Sequence, residues 1–216
     1  TTGTQGLVSD NGDGTFSYDP DGAFESLGVG ETGTTSFSYT VTDSGGASST
    51  ATVTITVKGA NDAPFAGSAV GSASEDGPSI RIEPVYGDVD ASDTLELSLD
   101  LEGTVGVVTV NPDGSLQYDP AGRFEHLGAG ETASDSFTYT VDDGNGGTAS
   151  NTVTVTITGV NDAPVAQAVS VSLEEGEGAL IAADFDDADA GDTHAFTLDT
   201  TGTQGLVSDN GDGTFS

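Results

Sequence analysis

The sequence contains no cysteine, methionine or tryptophan, and only 3 of its 216 residues are lysine or arginine. Without cysteine there is no disulfide framework, no thiolate metal site and no cysteine nucleophile. Three cations against 36 acids leave a formal net charge of -33. A chain this acidic repels phosphate backbones and anionic lipid headgroups, so nucleic acid and membrane surfaces are disfavoured as partners. No apolar run approaches the roughly 20 residues that span a bilayer, and no charged-then-apolar leader opens the chain. The expectation is a soluble chain whose export address, if any, lies outside it. Aromatic residues are sparse at 6%, yet the 34% of apolar residues fall in alternating Val, Ile, Phe and Tyr runs and are not diluted evenly, which argues against disorder. Three cations cannot pair 36 carboxylates. Either the acids stand apart in solvent or bound cations neutralise clusters of them.

Self-similarity organises the rest. Residues 1–17, TTGTQGLVSDNGDGTFS, return letter for letter at 200–216. Between them, YDPDGAFESLGVGETGTTSFSYTVTD from Tyr18 is echoed by YDPAGRFEHLGAGETASDSFTYTVDD from Tyr118 at an offset of 100. The segments ending NDAP at Pro64 and Pro164 match in the same way. GDVDASDT, ending at Thr94, pairs with DDADAGDT, ending at Thr193, at an offset of 99, so one residue is lost between Pro64 and Glu75 in the later copy. The unit is about 100 residues long.

Each unit reads as β-structure. Residues 52–57 and 152–157 alternate Thr with Val or Ile, and residues 36–41 alternate Ser or Thr with Phe37, Tyr39 and Val41, which should face inward. Asp43-Ser44-Gly45-Gly46 joins the two runs as a hairpin, and the 11–14 and 111–114 segments carry turn chemistry. Apolar spacing of three at Phe24/Leu27 and Phe124/Leu127 predicts one helical turn plugging the fold. Some seven short strands per unit argue for all-β, tandem immunoglobulin/cadherin-like Greek-key β-sandwiches. The NDAP segments follow a final strand and end in Pro, so residues 60–64 and 160–164 are predicted linkers. Residues 65–159 then form one complete sandwich. Residues 1–59 hold the C-terminal part of one repeat and 165–216 the N-terminal part of the next.

The order NDAP, Glu75-Asp76-Gly77, DVDASDTL from Asp88, DGSLQYDP, DSFTYTVDDGNGG and TVTVTITGVNDAP resembles the VCBS or cadherin-like repeat of giant secreted bacterial adhesins of the RTX type. The resemblance covers essentially the whole chain. It implies calcium-binding β-sandwiches stacked in long arrays on the cell surface, acting as an extender that projects distal binding domains. It also implies that the linker Asn-Asp and the Asp-x-Asp pairs hold the metal.

Calcium takes six to eight oxygen ligands, and the acidic clusters can supply them. In a sandwich the strands alternate direction, so each loop falls at one of two poles. Each joint should combine outgoing-pole acids of one domain, the linker Asn-Asp and incoming-pole acids of the next. For the first joint these are Glu31, Asn61, Asp62, Asp88, Asp90 and Asp143; for the second, Glu75, Asp76, Glu131, Asn161, Asp162, Asp187 and Asp189. Other readings compete. Excess Asp can serve solubility in salty water alone. Neither acidic loop has the central Gly and terminal Glu of an EF-hand, and there is no nonapeptide β-roll run. His126 and His194 have Ser26 and Leu95 as counterparts, so neither belongs to a repeated site, and an enzyme is disfavoured. A ligand-binding adhesin module contacting glycan or protein is the alternative function, which tandem near-identity argues against. The two partial repeats should each expose a sheet face and unpaired edges. Flanking the middle domain at opposite poles, they cannot meet within one molecule, so head-to-tail self-association of these ends is expected, alongside stacking on neighbouring repeats.

Overall fold

The computed structural model describes residues 3–216, and the described residues form strands and turns with no helix. The strands are β1 (Leu7–Asp10), β2 (Phe16–Asp19), β3 (Thr32–Thr42), β4 (Ser48–Lys58), β5 (Phe65–Ala66), β6 (Ala69–Ser74), β7 (Ile80–Ile82), β8 (Tyr86–Gly87) and β9 (Glu96–Asp100). Then come β10 (Val107–Val110), β11 (Leu116–Asp119), β12 (Thr132–Asp142), β13 (Thr148–Thr158), β14 (Val165–Gln167), β15 (Ile181–Ala182), β16 (Asp184–Asp186) and β17 (Thr214–Phe215). Every pairing between strands whose register is resolved is antiparallel. This is the all-β architecture that the alternating Thr/Val runs predict, because a period of two puts one face of each strand inward.

By contacts the chain divides into two compact units, and the long strands β12 and β13 contribute to both. The first holds the residues up to Ala69, Glu83–Glu102 and Phe137–Val153. Within it β1 pairs β2, β3 pairs β4 along all eleven residues, β5 pairs β8, and β9 pairs the end of β12. Tyr139, fully buried, donates its hydroxyl to the carbonyl oxygens of Gly67 and Val85. One side chain thereby ties β12 to the two segments that flank β6 and β7 in sequence. The second unit holds Val70–Ile82, Gly103–Ser136 and Thr154–Ser216. Here β7, β11 and β10 make a three-stranded sheet, β14 pairs β16, and β15 pairs β17. Ala73, Ile82, Val108, Leu116, Tyr118, Phe124, Leu127, Val155 and Ile157 are its buried apolar side chains.

The expected inward faces hold in the second copy and only partly in the first. Phe137, Tyr139 and Val141 are all buried, whereas of Phe37, Tyr39 and Val41 only Phe37 is. β12 and β13 lie in a four-stranded sheet of order β6-β13-β12-β9, while β3 and β4 stand as a pair. The difference lies in the covering strands, since the residue pattern is the same. The predicted helical turn at 23–27 and 124–127 is corrected. Leu27 and Leu127 donate to the carbonyl oxygens of Phe24 and Phe124, three residues back, as turns do. Pro20 opens each segment's first copy, Asp21 follows at a left-handed φ of 47°, and the same left-handed step recurs at Ala121 (φ 53°), so no α-helical run can start. The packing role survives, because Phe124 and Leu127 are buried.

Asp135 is a buried acid with all its needs met by protein. It accepts hydrogen bonds from the amides of Val105, Gly106 and Ser136 and from the Tyr118 hydroxyl. Burial opposes its ionisation, but these donors outweigh burial and hold its carboxyl below the ordinary aspartate value, while burial and Asp135 together push the Tyr118 phenol up. The first copy has Thr35 here, buried and accepting from the Gln5 amide at 2.9 Å. Asp135→Ala strands several donors at once and should cost about 3 kcal/mol in urea unfolding, with Asp135→Thr costing clearly less.

Candidate metal centre

Two groups of acids behave differently from Asp135. In the first unit, Asn61 of the first Asn-Asp-Ala-Pro segment donates its amide to Asp143 Oδ2 at 2.8 Å, and the Asp62 amide donates to Asp90 Oδ2 at 2.8 Å. The Asp90 amide in turn donates to Asp88 Oδ1 at 3.0 Å, the side-chain-to-backbone turn that fixes the Asp-x-Asp spacing. Carboxylate oxygens of Asp88, Asp90 and Asp93 lie within 4.8 Å of one another. Asn145 of the β12–β13 hairpin donates to the other carboxylate oxygen group of this loop, Asp93 Oδ1, at 2.9 Å. Glu31 accepts from the Gly28 amide at 3.1 Å, and Gly28 borders Asp90 and Asp93 so closely that a Cβ there would stand 3.3 Å from Asp93 Oδ1. All six residues expected at the first joint are thus gathered in one neighbourhood, with Asp143 held by the linker itself.

The second unit repeats the plan. The Asp162 amide donates to Asp189 Oδ2 at 2.9 Å, the Asp189 amide to Asp187 Oδ1 at 3.1 Å, and the Gly128 amide to Glu131 Oε2 at 3.2 Å. Glu75 accepts from the Val160 amide at the start of the linker. Oxygens of Asp76, Glu125 and Asp162 lie within 4.8 Å of one another. Asn161 donates its side-chain amide to the Asp162 carbonyl at 2.7 Å, as Asn61 donates to that of Asp62. Gly159 sets the linker's exit. Its amide donates to the Glu131 carbonyl, and a Cβ would overlap the carbonyl oxygens of Leu127 and Gly128. Gly159→Ala must move the linker off these acids, and should weaken divalent-cation affinity at this centre by about tenfold or more, a change of at least 1.4 kcal/mol readable by calorimetric titration.

The expected set left out Glu125 and Asp93. Both carried a signal in the repeat itself: Phe-Glu recurs at 24–25 and 124–125, and Asp93 recurs as Asp192 in the Asp-x-Asp-x-x-Asp-Thr loop. His194, which belongs to no repeated site, packs its ring 4.6 Å from that of Phe185 and places Nε2 2.6 Å from Asp187 Oδ2. Leu95 at the equivalent place in the first loop offers Asp88 no such partner.

The electrostatics are one-sided. Glu75, Asp90, Asp143 and Asp189 are at most 3% exposed. Among the described residues, seven side-chain oxygens are buried without a hydrogen-bond partner: Asn61 Oδ1, Asp88 Oδ2, Asp90 Oδ1, Asp93 Oδ2, Glu75 Oε2, Asp162 Oδ2 and Asp189 Oδ1. All seven belong to these two groups, all are oxygen, and a buried unpaired carboxylate is costly. The spacing suits a cation with oxygens about 2.3 to 2.6 Å away, whose opposite ligands stand about 5 Å apart. An all-oxygen donor set fits a hard divalent ion such as calcium.

Protons are the competing ligand. Burial first, then the charges of Asp76, Asp189 and Asp187, pushes the Asp162 carboxyl above its ordinary 3.8. Burial, then Asp76, Asp162 and Glu75, does the same to Glu125. A raised native value means that the folded chain binds more protons than the unfolded one from the ordinary carboxylate range up to the raised value. The ion-free fold therefore gains stability as pH falls through that window. Asp143, held down by the Asn61 amide, and Asp187, held down by His194, act oppositely, losing their contribution only as pH falls below the ordinary range. Melts from neutral to mildly acid pH should show the ion-free protein holding or gaining stability while the increment due to a divalent cation shrinks.

The profile of the bacterial cadherin-like domain matches residues 1–59 and 61–159. No curated protein matches the sequence. Among solved structures, mouse cadherin-23 EC22-24 is 20% identical with a TM-score of 0.50, covering 86% of this chain and 62% of that one. Mouse clustered protocadherin PcdhgC3 EC1-3 is 21% identical (TM-score 0.49, 93% and 70% covered). Drosophila N-cadherin EC1-4 is 17% identical (TM-score 0.43), and the alignment covers 75% of this chain and 42% of that structure, so this chain spans less than half of that structure. At these identities the structural likeness speaks to the fold, a cadherin-type β-sandwich. With both acidic centres built around the recurring Asn-Asp-Ala-Pro linker, and the family profile covering most of the sequence, the chain belongs to the bacterial cadherin-like domain family.

Proposed function

We propose that the chain is a calcium-rigidified extender segment of a secreted, cell-surface bacterial adhesin, with residues 65–159 as one complete repeat between the linkers 60–64 and 160–164. The observation that carries this reading is the set of seven buried oxygens without partners, gathered around the two linkers. Calcium at the first centre would be held by Asn61, Asp62, Asp88, Asp90, Asp93 and Asp143, with Glu31 beside them. At the second it would be held by Glu75, Asp76, Glu125, Asp162, Asp187 and Asp189, with Glu131 and Asn161 beside them. An ion tied to a linker and to loops on both sides of it in sequence removes the repulsion among those acids and fixes the linker's course. Stiffness of that kind is what a spacer needs, and stacking on neighbouring repeats extends it along an array. The role asks for no chemistry beyond binding. The test is small-angle scattering in chelator and in millimolar calcium: a longer maximum dimension and a rod-like profile with calcium are expected, and identical profiles would overturn the reading.

A further inference from the structure

We propose that His194 stands in for the cation at Asp187: it holds the second Asp-x-Asp loop in the ion-free chain and thereby lowers that loop's affinity for calcium. On the calcium reading, on which this rests, His194 sets how tightly one of the two centres binds. The two loops are near copies, so each is a control for the other. In both, the amide of the second aspartate donates to the first, Asp90 to Asp88 Oδ1 at 3.0 Å and Asp189 to Asp187 Oδ1 at 3.1 Å. In both, the aspartate of the Asn-Asp-Ala-Pro segment donates its amide to the second, Asp62 to Asp90 Oδ2 at 2.8 Å and Asp162 to Asp189 Oδ2 at 2.9 Å. The other oxygen of that second aspartate, Asp90 Oδ1 or Asp189 Oδ1, is buried and partnerless in each loop.

One atom breaks the correspondence. Asp88 Oδ2 is buried without a partner, whereas Asp187 Oδ2 lies 2.6 Å from His194 Nε2. The cause is in the sequence, where Leu95 and His194 each directly follow the loop's Asp-Thr pair. An ionised carboxylate only accepts hydrogen bonds, so Nε2 carries the proton in this pair and donates it. The imidazole is well seated: its ring centre lies 4.6 Å from that of Phe185, which in turn lies 5.6 Å from that of Phe196. The Asp187 side chain is only 6% exposed, so water is a poor replacement for this donor.

The gain from binding a cation is the difference between what it offers an oxygen and what that oxygen already has. At Asp88 Oδ2 the alternative to the cation is a buried oxygen with no partner, which is costly. At Asp187 Oδ2 the alternative is a hydrogen bond to a charged acceptor, which calcium must displace or share. The histidine therefore stabilises the empty second loop and leaves less to be gained on filling it. A plain packing role for the ring has the opposite sign, because its loss would loosen the loop and weaken binding.

The test follows the backbone amides of Asp90 and Asp189 by two-dimensional NMR as calcium is added to the full chain at one fixed, mildly alkaline pH; each amide reports its own centre. His194→Leu gives the second loop the residue of the first, and should tighten calcium at the Asp189 reporter by about tenfold, the scale of outer-shell changes at metal sites, with the Asp90 reporter unmoved. In chelator the same variant should melt below the parent, since Asp187 Oδ2 loses its partner. His194→Gln, which keeps a donor, should stay closer to the parent in both measurements. Leu95→His, with Tyr86 standing where Phe185 seats the ring, should weaken binding at the Asp90 reporter. Unchanged or weaker calcium binding at Asp189 in His194→Leu overturns the proposal and spares the calcium reading. So does undiminished affinity at Asp90 in Leu95→His, a variant that leaves the second loop intact. A parent chain in which neither reporter responds to calcium overturns the calcium reading itself, and this proposal with it.

Discussion

Adding calcium to the ion-free chain is expected to raise its melting temperature by about 10 to 20 °C, with sodium at matched ionic strength giving a few degrees at most. Binding to the folded state alone stabilises by about 2.7 kcal/mol per site when free ion is a hundredfold above its dissociation constant. Two centres then contribute about 5 kcal/mol, and each kcal/mol moves a chain of this size by about 2 to 4 °C. The effect is large here because the competing terms are small. The first copy leaves Val41, Phe16 and Leu7 well exposed, so the apolar contribution is lean, and the ion-free centres hold buried carboxylate oxygens without hydrogen-bond partners. The bridges to Asp from basic side chains among the described residues are Arg81–Asp113, exposed on a turn, and His194–Asp187. Sodium screens long-range repulsion between exposed charges but does little for a buried cluster. Differential scanning calorimetry in chelator, calcium chloride and sodium chloride checks this. Equal shifts for the two salts would return the acids to general solubility and remove the metal reading.

How far the sequence reaches can be judged element by element. Period-two alternation located β3, β4, β12 and β13, because one-sided burial is a local pattern that the residues carry themselves. It could not tell that Tyr39 and Val41 differ in burial from Tyr139 and Val141, because burial belongs to the covering strand, which lies elsewhere in the chain. The helical turn failed for a related reason: spacing of three is shared by a helix and by a hydrogen-bonded turn, and the left-handed residues at 21 and 121 decide between them. At the two centres, the pole argument places Asp143 near Asn61, and the two side chains, 82 residues apart in sequence, are hydrogen-bonded, since antiparallel connectivity fixes which loops share an end. It missed Glu125, which sits in the plugging segment and not in a strand-to-strand loop, so no connectivity rule pointed to it. The contact of His194 with Asp187 exists in one copy only, so it leaves no trace in the repeat pattern.

Replacing Asp88 and Asp90 together by asparagine should change stability with opposite sign in the two conditions: a gain of about 1 kcal/mol in chelator and a loss of about 2 to 3 kcal/mol in saturating calcium. The geometry makes this a clean exchange. Asp88 Oδ1 and Asp90 Oδ2 accept the amides of Asp90 and Asp62, and an asparagine carbonyl can accept both, so the loop and the linker keep their hydrogen bonds. The atoms that change are the partnerless ones, Asp88 Oδ2 and Asp90 Oδ1, which become NH₂ groups. Without an ion, three carboxylates whose oxygens lie within 4.8 Å repel one another, by about 3 kcal/mol per pair at an effective dielectric of 20 before any relaxation. Removing two of the three charges leaves no repelling pair among them, but the partly exposed Asp93 already relaxes toward solvent in the parent, which keeps the net gain small. With calcium, two ligand oxygens are replaced by donors that face the cation with positive partial charge, so the increment from the first centre disappears. The double variant should therefore melt above the parent in chelator and below it in calcium, while far-ultraviolet circular dichroism shows the β-signal of residues 65–159 unchanged in both. Destabilisation in both conditions would make the two carboxylates ordinary parts of the packing; stabilisation in both would mean that no cation uses them.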